Sequence, residues 1–571
     1  MGQVNLLRSR LSSERLLGRP QIFSGPFGTE IPQSLVEQQI SAIVSCGKEP
    51  GSAERGHMNS KPDSKGGMPN IPRTLFLVIL LAGGVTSVVL GQNSAAHFRA
   101  KDPGPRPNPS SAIPLPVPGL NENEAALFNE SLLRVSELEG SCDTCAQQPQ
   151  GVPPIDPDPN NPFSPRGLVN SAGMSPVFNA DQCFICHSQP LIGGSTPAHS
   201  PAETIAHRLG GTNTVPAFED PDGPFREVRF KFNADGTRDG GVHSLFTLQG
   251  RSDTPGCRLE QPDFEQAVRD RNIAFRIPLQ LFGLGLIESI QDSAIRANMN
   301  ANREAKHDLG ISGHPNIVPN NGTISRFGWK AQNGSLTIFA GEAYNVEMGI
   351  SNDAFPIGRS EDPNCNVVYE PFDIPRTEAS FYNNPLKIMP AWLMFAEFMR
   401  FVDAPQPAPL TASAQHGKEL FSKAGCVFCH TASFQTAGTA NPTNEREEIG
   451  PHSVALRGQT VNLYSDLLVH HMGATLADNI VQGNAGPDEF RTTPLWGLGQ
   501  RLFFLHDGRT SDLNVAIQDH FSRRFSDGGD NPSKDFRSYS YEPSEANAVI
   551  ERFNALTEAQ KQAILDFLRS L

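Results

Sequence analysis

The chain has 571 residues, with 61 acidic against 47 basic side chains and a formal net charge of −14. That length allows about three or four domains and large buried cores. The negative balance excludes nucleic acid as the natural partner, because phosphate binding needs the opposite sign.

In chain order, residues 1–72 read as a polar, unstructured leader. Residues 73–92 contain the apolar run TLFLVILLAGGVTSVVLG (74–91), preceded by Arg73, Lys65 and Lys61 and followed by small residues, with cleavage expected after Gly91 or Ala96. This is a signal-peptide layout that starts far into the chain, which points to Met58 or Met68 as the initiator. The competing reading is an uncleaved membrane anchor, since the run only just reaches the length of a membrane span. Residues 93–121 include KDPGPRPNPSSAIPLPVPG (101–119) and are expected to form an extended Pro-rich linker.

Residues 122–139 have helical spacing of apolar positions. Cys142 and Cys145 follow, spaced as Cys-x-x-Cys but with Ala146 where a histidine would make a haem motif. A local disulfide suits them in an oxidising compartment. After a Pro/Asn-rich loop (148–165) comes Cys183-Phe184-Ile185-Cys186-His187, and far downstream Cys426-Val427-Phe428-Cys429-His430. This spacing lets two thiols bond the vinyl groups of a haem while the next residue, histidine, lies under the iron as its proximal ligand. Two covalently bound haem c groups are therefore expected, on Cys183, Cys186 and His187 and on Cys426, Cys429 and His430. A zinc ribbon would place its Cys-x-x-Cys pairs much closer together. Haem c attachment in bacteria takes place outside the cytoplasm, so the motifs and the apolar run together predict a periplasmic protein, free or tethered to the inner membrane by residues 74–91. Cys257 and Cys365 are expected to pair in the same compartment.

The block from about 190 to 385 is rich in Gly, Asn, Asp and Pro. It predicts short helices joined by long loops, with strands around REVRFKF (226–232). Residues 389–402 read as a buried helix ahead of a Pro-rich hinge (403–409). A helix at 414–422 precedes Cys426, and LTEAQKQAILDFLRSL (556–571) is amphipathic at helical period. The fold class expected is mainly α, with two class I cytochrome c-like haem domains. The N-terminal one (122–402) is enlarged by long loops and a few short strands, and the C-terminal one is 410–571. In the latter the first and last helices should cross at Gly417, with Phe421 against Phe567.

Beyond these motifs the sequence resembles the di-haem oxidoreductase family. That family is related to bacterial di-haem cytochrome c peroxidases and to the haem enzymes that mature methylamine dehydrogenase. The resemblance rests on GGVHSLFTLQGRSDTPGC (240–257), FRIPLQLFGLGLIESI (275–290), RFGWKAQNGSLTIFAGEAYNVEMGI (326–350), LYSDLLVHHMG (463–473) and TPLWGLGQRLFFLHDGRTSDLNVAIQDH (493–520). It covers about 160–571. It implies that Trp329, with Leu336 seven positions on, bridges electron transfer between the two haems. Lys330 stands where the peroxidase relatives have aspartate, their following Gly-Arg is absent, and a tryptophan filling core volume is the competing reading. Glu347-Met348 is similar to the acidic residue and methionine on the distal side of the peroxidatic haem, about two residues short in spacing. A carboxylate there moves a proton between the oxygens of hydrogen peroxide, with Glu342 as rival.

The phrase Leu505-His506-Asp507-Gly508-Arg509 resembles a loop that precedes a distal ligand by fourteen positions, which here lands on His520. His430 and His520 would then both bind the second iron, with Met472 as the competing sixth ligand and His506 bonding a haem propionate or the loop backbone. For the first iron, His207 resembles the switchable histidine of the peroxidases, and His199 and His243 compete. A calcium ion between the domains is a further expectation that the residues by themselves do not locate.

The function these features imply is an exported di-haem c-type oxidoreductase. Electrons would pass from a small cytochrome or cupredoxin through the C-terminal haem to the N-terminal one, which reduces hydrogen peroxide or another small oxidant. An acidic surface suits a basic redox partner, although solubility alone is the commoner reason for one. The alternatives are a non-enzymatic di-haem electron carrier and, more weakly, a maturation or thiol-oxidising enzyme.

Overall fold

The computed structural model describes residues 99–109, 113–136, 139, 173–208, 214–248, 250–251, 254–360, 362–366, 371–374, 389–438, 453–526 and 540–571, without the side chains of His207, Arg208 and Ser526. All of these lie in one compact unit, Gly83–Leu571. It is mostly helical, with short strands. Among the described residues no helix is long and apolar enough to cross a membrane, and the run 74–91 lies outside them.

Helix α1 (Glu122–Val135) begins at a capping box, in which the Asn121 side chain accepts from the Glu124 backbone N–H and the Glu124 side chain accepts from the Asn121 backbone N–H. Its buried residues include Phe128, Leu132 and Val135, each contributing about 1.5–3 kcal/mol as an upper estimate. The first Cys-x-x-Cys forms a single turn, α2 (Cys183–Cys186). Strands β1 (Glu227–Phe230), β2 (Val242–His243) and β3 (Ile273–Arg276) form a small antiparallel sheet in the order β2–β1–β3, with Glu227 opposite Arg276. Helix α3 (Leu336–Met348) starts at Ser335, whose hydroxyl accepts from Ile338 N–H, and ends at Gly349 with φ 67°, a left-handed C-cap that suits glycine. Helix α4 (Ala391–Phe401) is apolar nearly all round and buried, as a core helix should be. It packs on α1 through Phe128 and Phe398 (centroids 6.0 Å), on α3 through Tyr344 and Phe395 (4.9 Å) and on α2 through Phe184 and Phe398 (5.3 Å). The first motif is therefore packed on α4, which α1 and α3 brace in turn. Cys257 and Cys365 form the expected disulfide.

Further on, helix α5 (Ala412–Ala424) is capped by Thr411 and closed by Gly425 at φ 104°. Strands β4 (Val469–His471) and β5 (Glu489–Arg491) pair antiparallel. Helix α6 (Leu513–Gln518) is capped by Asp512, and the last helix, α7 (Glu558–Ser570), opens on a Thr557–Gln560 capping box. Helices α5 and α7 cross at Gly417, where a Cβ would overlap the Ala563 carbonyl, and Phe421 meets Phe567 edge-on at 5.5 Å. Both contacts are those expected.

The Pro-rich stretch is extended but not free. The Asp102 carboxylate takes two hydrogen bonds from the Arg569 guanidinium (2.6 and 2.7 Å), Arg106 N–H donates to the Gly499 carbonyl, and Val117 N–H donates to the Phe401 carbonyl. Segments 122–402 and 410–571 are also knit together, by a buried Arg276–Asp478 pair and by the Arg491 N–H bond to the Trp329 carbonyl.

Candidate functional site

The first motif opens on a cavity. His187 N–H closes the α2 turn onto the Cys183 carbonyl at 3.1 Å, and His187 Nδ1 lies 3.2 Å from the Gly194 carbonyl oxygen. Gly194 has to be glycine because a Cβ there would overlap the Gln189 backbone. A backbone carbonyl at Nδ1 fixes the tautomer and orientation of a metal-ligating histidine. Cys183, Cys186 and His187 line the cavity with Phe225, Phe339 and Phe395, and neither thiol is in a disulfide. Burial lifts both thiols well above their ordinary range and holds His187 below its own.

Glu347 faces this cavity from α3, and so do Glu342 and Glu227. Its carboxyl is pushed up to about 8, first by burial and then by the nearby Glu227 charge, while Asn179 Nδ2 donates to its Oε2 at 3.3 Å. The Glu347 carbonyl in turn accepts from Asn179 and Ala180 N–H (2.7 and 3.0 Å), tying α3 to the segment just before the motif. Glu342 is held by Asn333 Nδ2 at 2.6 Å.

The second motif repeats the local geometry. His430 N–H bonds the Cys426 carbonyl (2.8 Å), and His430 Nδ1 lies 3.1 Å from the Tyr464 carbonyl oxygen. His520, just past α6, has Nδ1 2.7 Å from the Ala516 carbonyl oxygen. Both rings line one cavity with Cys426, Cys429 and Met472. Burial, and next the charge of His520, bring His430 down to about 4. His520 and Met472 are thus both at the cavity, as expected. Arg501 is buried in its wall, and its Nε and Nη2 have no hydrogen-bond partner; burial lowers its pKa to about 10. An anionic group in the cavity would satisfy it, as a haem propionate does.

Trp329 lies between the two sites. It is 8% exposed, lines both cavities, and donates from Nε1 to the Ile277 carbonyl at 2.9 Å. His506 stands edge-on to it (6.4 Å) and stacks on Phe490 (4.3 Å). Lys330, in place of the peroxidase relatives' aspartate, is fully buried. Its Nζ donates to the Gly486 and Glu489 carbonyls (both 2.8 Å), sits 3.1 Å from Asp478 Oδ1, and lies 4.1 Å from the Phe490 ring centroid. A buried ammonium with these partners braces the wall.

Other expected residues lie elsewhere. His199 is exposed beside Asp222, and His243 stacks on Phe230 and bonds Asp239; neither lines either of the two cavities described above. His207 is in the helix Ala202–Arg208, its side chain outside the described residues, as are Cys46, Cys142 and Cys145. Among the described residues, the close array of metal-ligating side chains is Cys429, Asp466 and His470. Sulfur and imidazole do not suit the oxygen shell of calcium. Sequence reasoning missed Glu227, Arg229 and Arg501. The alternation of charged and apolar residues in REVRFKF was a signal for the first two, since it turns Glu227 and Arg229 to one face of a strand.

Residues 263–527 match the family model described as "Di-haem oxidoreductase, putative peroxidase". That stretch is similar to the di-haem oxidoreductase family. The stretch is just under half of the chain and takes in Trp329, Glu347, the second motif and His520, while the first motif lies ahead of it. Haem is thereby supported as the cofactor, and the two cavities, with paired free thiols, anchored imidazoles and an unsatisfied buried guanidinium, fit it. No curated protein matches. Among solved structures, hydrazine synthase of Kuenenia stuttgartiensis, pressurised with xenon, is 14% identical over 37% of this chain, with a TM-score of 0.19. The match covers 59% of the hydrazine synthase chain. A MauG-like protein associated with microbial copper homeostasis is 17% identical over 51% of this chain and 89% of its own, with a TM-score of 0.25. Scores this low carry no argument about fold or function.

Proposed function

We propose that the protein is an exported di-haem c-type oxidoreductase of peroxidase type, built on two class I cytochrome c-like haem domains. The observation that carries this reading is Trp329, one indole facing two cavities that each hold a Cys-x-x-Cys-His motif. Cys183 and Cys186, and Cys426 and Cys429, would carry the thioether links, with His187 and His430 as proximal ligands. The haem groups, when bound, supply the electron chemistry, and the protein supplies positioning and tuning.

At the second site His430 and His520 would both hold the iron, with Met472 as the weaker candidate for the second position. Burial lowers both imidazoles, His430 to about 4, which favours the neutral ring, and the neutral ring is the form that binds iron. Trp329 is placed to carry electrons from there to the first site. At the first site Glu347 moves the proton of hydrogen peroxide from one oxygen to the other, which leaves as water. Desolvation keeps its carboxyl protonated near neutral pH, the state that can donate. The donor would be a small cytochrome or cupredoxin, and the compartment the periplasm, with residues 74–91 as signal or tether.

The test is an EPR spectrum of the half-reduced, haem-loaded protein. A high-spin signal that cyanide converts and peroxide consumes is expected. Two low-spin haems inert to both would make the protein an electron carrier and remove the enzyme reading.

A further inference from the structure

Glu347 has a partner that the peroxidase reading does not use. Glu227 opens strand β1 opposite Arg276 of β3, so the first residue pair of that sheet borders the N-terminal cavity, where Glu227 and Glu347 both lie. The two carboxyls are neighbours there, close enough for Glu227 to raise the Glu347 carboxyl, and such a pair can share one proton. Their surroundings differ. Arg229 Nε donates to Glu227 Oε1 at 2.6 Å, whereas Glu347 receives only the neutral amide of Asn179, at 3.3 Å. Glu347, the partner without a guanidinium at hydrogen-bond distance, is the one whose carboxyl is raised.

The other charged groups around the pair are already engaged. Arg276 is bound to Asp478 and Gln482, Arg359 donates to the Val242 and Val346 carbonyls, and Glu342 is held by Asn333. The Glu227 side chain is 21% exposed.

We infer that Glu227 and Glu347 form a two-carboxyl proton relay, with Glu347 serving the peroxide oxygens and Glu227 replenishing it from solvent. The inference rests on the peroxidase reading above. A pair holding one proton and one negative charge can give a proton to the leaving oxygen and take one from the other oxygen, returning to its starting state as the O–O bond breaks. Two electrons from the reduced redox-protein donor and two protons entering by way of Glu227 complete the second water. One peroxide, two electrons and two protons thus give two waters.

The experiment is infrared titration of the protonated-carboxyl stretch in the haem-loaded protein, with the band assigned by its loss in Glu347→Gln. Glu227→Gln removes the neighbouring charge and is expected to lower the midpoint by about one pH unit or more. Arg229→Gln removes the cation that steadies that charge and is expected to raise it. An unmoved midpoint in Glu227→Gln overturns the relay. Should that variant fail to retain haem, an unmoved midpoint in Arg229→Gln overturns it instead. Shifted midpoints in a protein inert to peroxide would sink the peroxidase reading and leave the shared proton. Peroxide turnover with unmoved midpoints would sink the relay alone.

Discussion

Replacing Glu347 with glutamine tests the electrostatics of the first site through stability. Glu347 lines the first cavity, and its carboxyl is raised from 4.5 to about 8, chiefly by burial. Below the unfolded pKa, near 4.3, the group is protonated in both states and costs nothing. Between there and about 8 the unfolded chain ionises and the folded one does not, so the folded state loses stability as pH rises. At about 1.36 kcal/mol per pH unit the loss has an upper limit of about 5 kcal/mol, with a few kcal/mol expected once the cavity relaxes around the charge. Glu347→Gln has no ionisation to lose. Urea unfolding at pH 5, 6, 7 and 8 should therefore show wild type and variant nearly equal at pH 5, with the variant gaining steadily up to pH 8. Parallel profiles for the two proteins would refute a desolvated Glu347.

Trp329→Phe should retain both haems and lose about 1–3 kcal/mol, because the Ile277 carbonyl is left buried without its donor. Stopped-flow mixing with a reductant should show slower transfer between the two sites, and unchanged kinetics would take Trp329 out of the path. His520→Ala should turn the C-terminal haem high-spin in the oxidised optical spectrum while Met472→Leu leaves it low-spin; the reverse pattern would assign the ligand to Met472. Gly417→Val should cost about 3 kcal/mol or more in urea unfolding, because a side chain there overlaps the Ala563 carbonyl and forces α5 from α7.

What the sequence conveyed well was local. The helices read from periodicity appear within a few residues of their expected ends, because Asn121, Thr411 and Thr557 supply caps and Gly425 a left-handed stop. The two pentapeptides carried their own geometry, a short turn that brings two thiols and an imidazole to one cavity. Distant pairings were not legible. The Pro-rich arm was read as a linker because its composition is that of one. Its docking depends on Asp102 meeting Arg569, 467 positions away, which no local pattern encodes. The alternation in REVRFKF puts Glu227 on one face of a strand, but only the approach of β1 to α3 gives it Glu347 as a neighbour. Arg501 carried no signal at all: a lone arginine looks the same in sequence whether solvated or buried.

All of this depends on porphyrin occupying both cavities. The intact mass of the purified protein, produced alongside a cytochrome-maturation apparatus, addresses that directly. The account predicts the mature polypeptide plus two haems, resistant to acid–acetone extraction and lost one at a time in Cys183→Ser/Cys186→Ser and Cys426→Ser/Cys429→Ser. A mass equal to the bare polypeptide, with no Soret absorption, would contradict it.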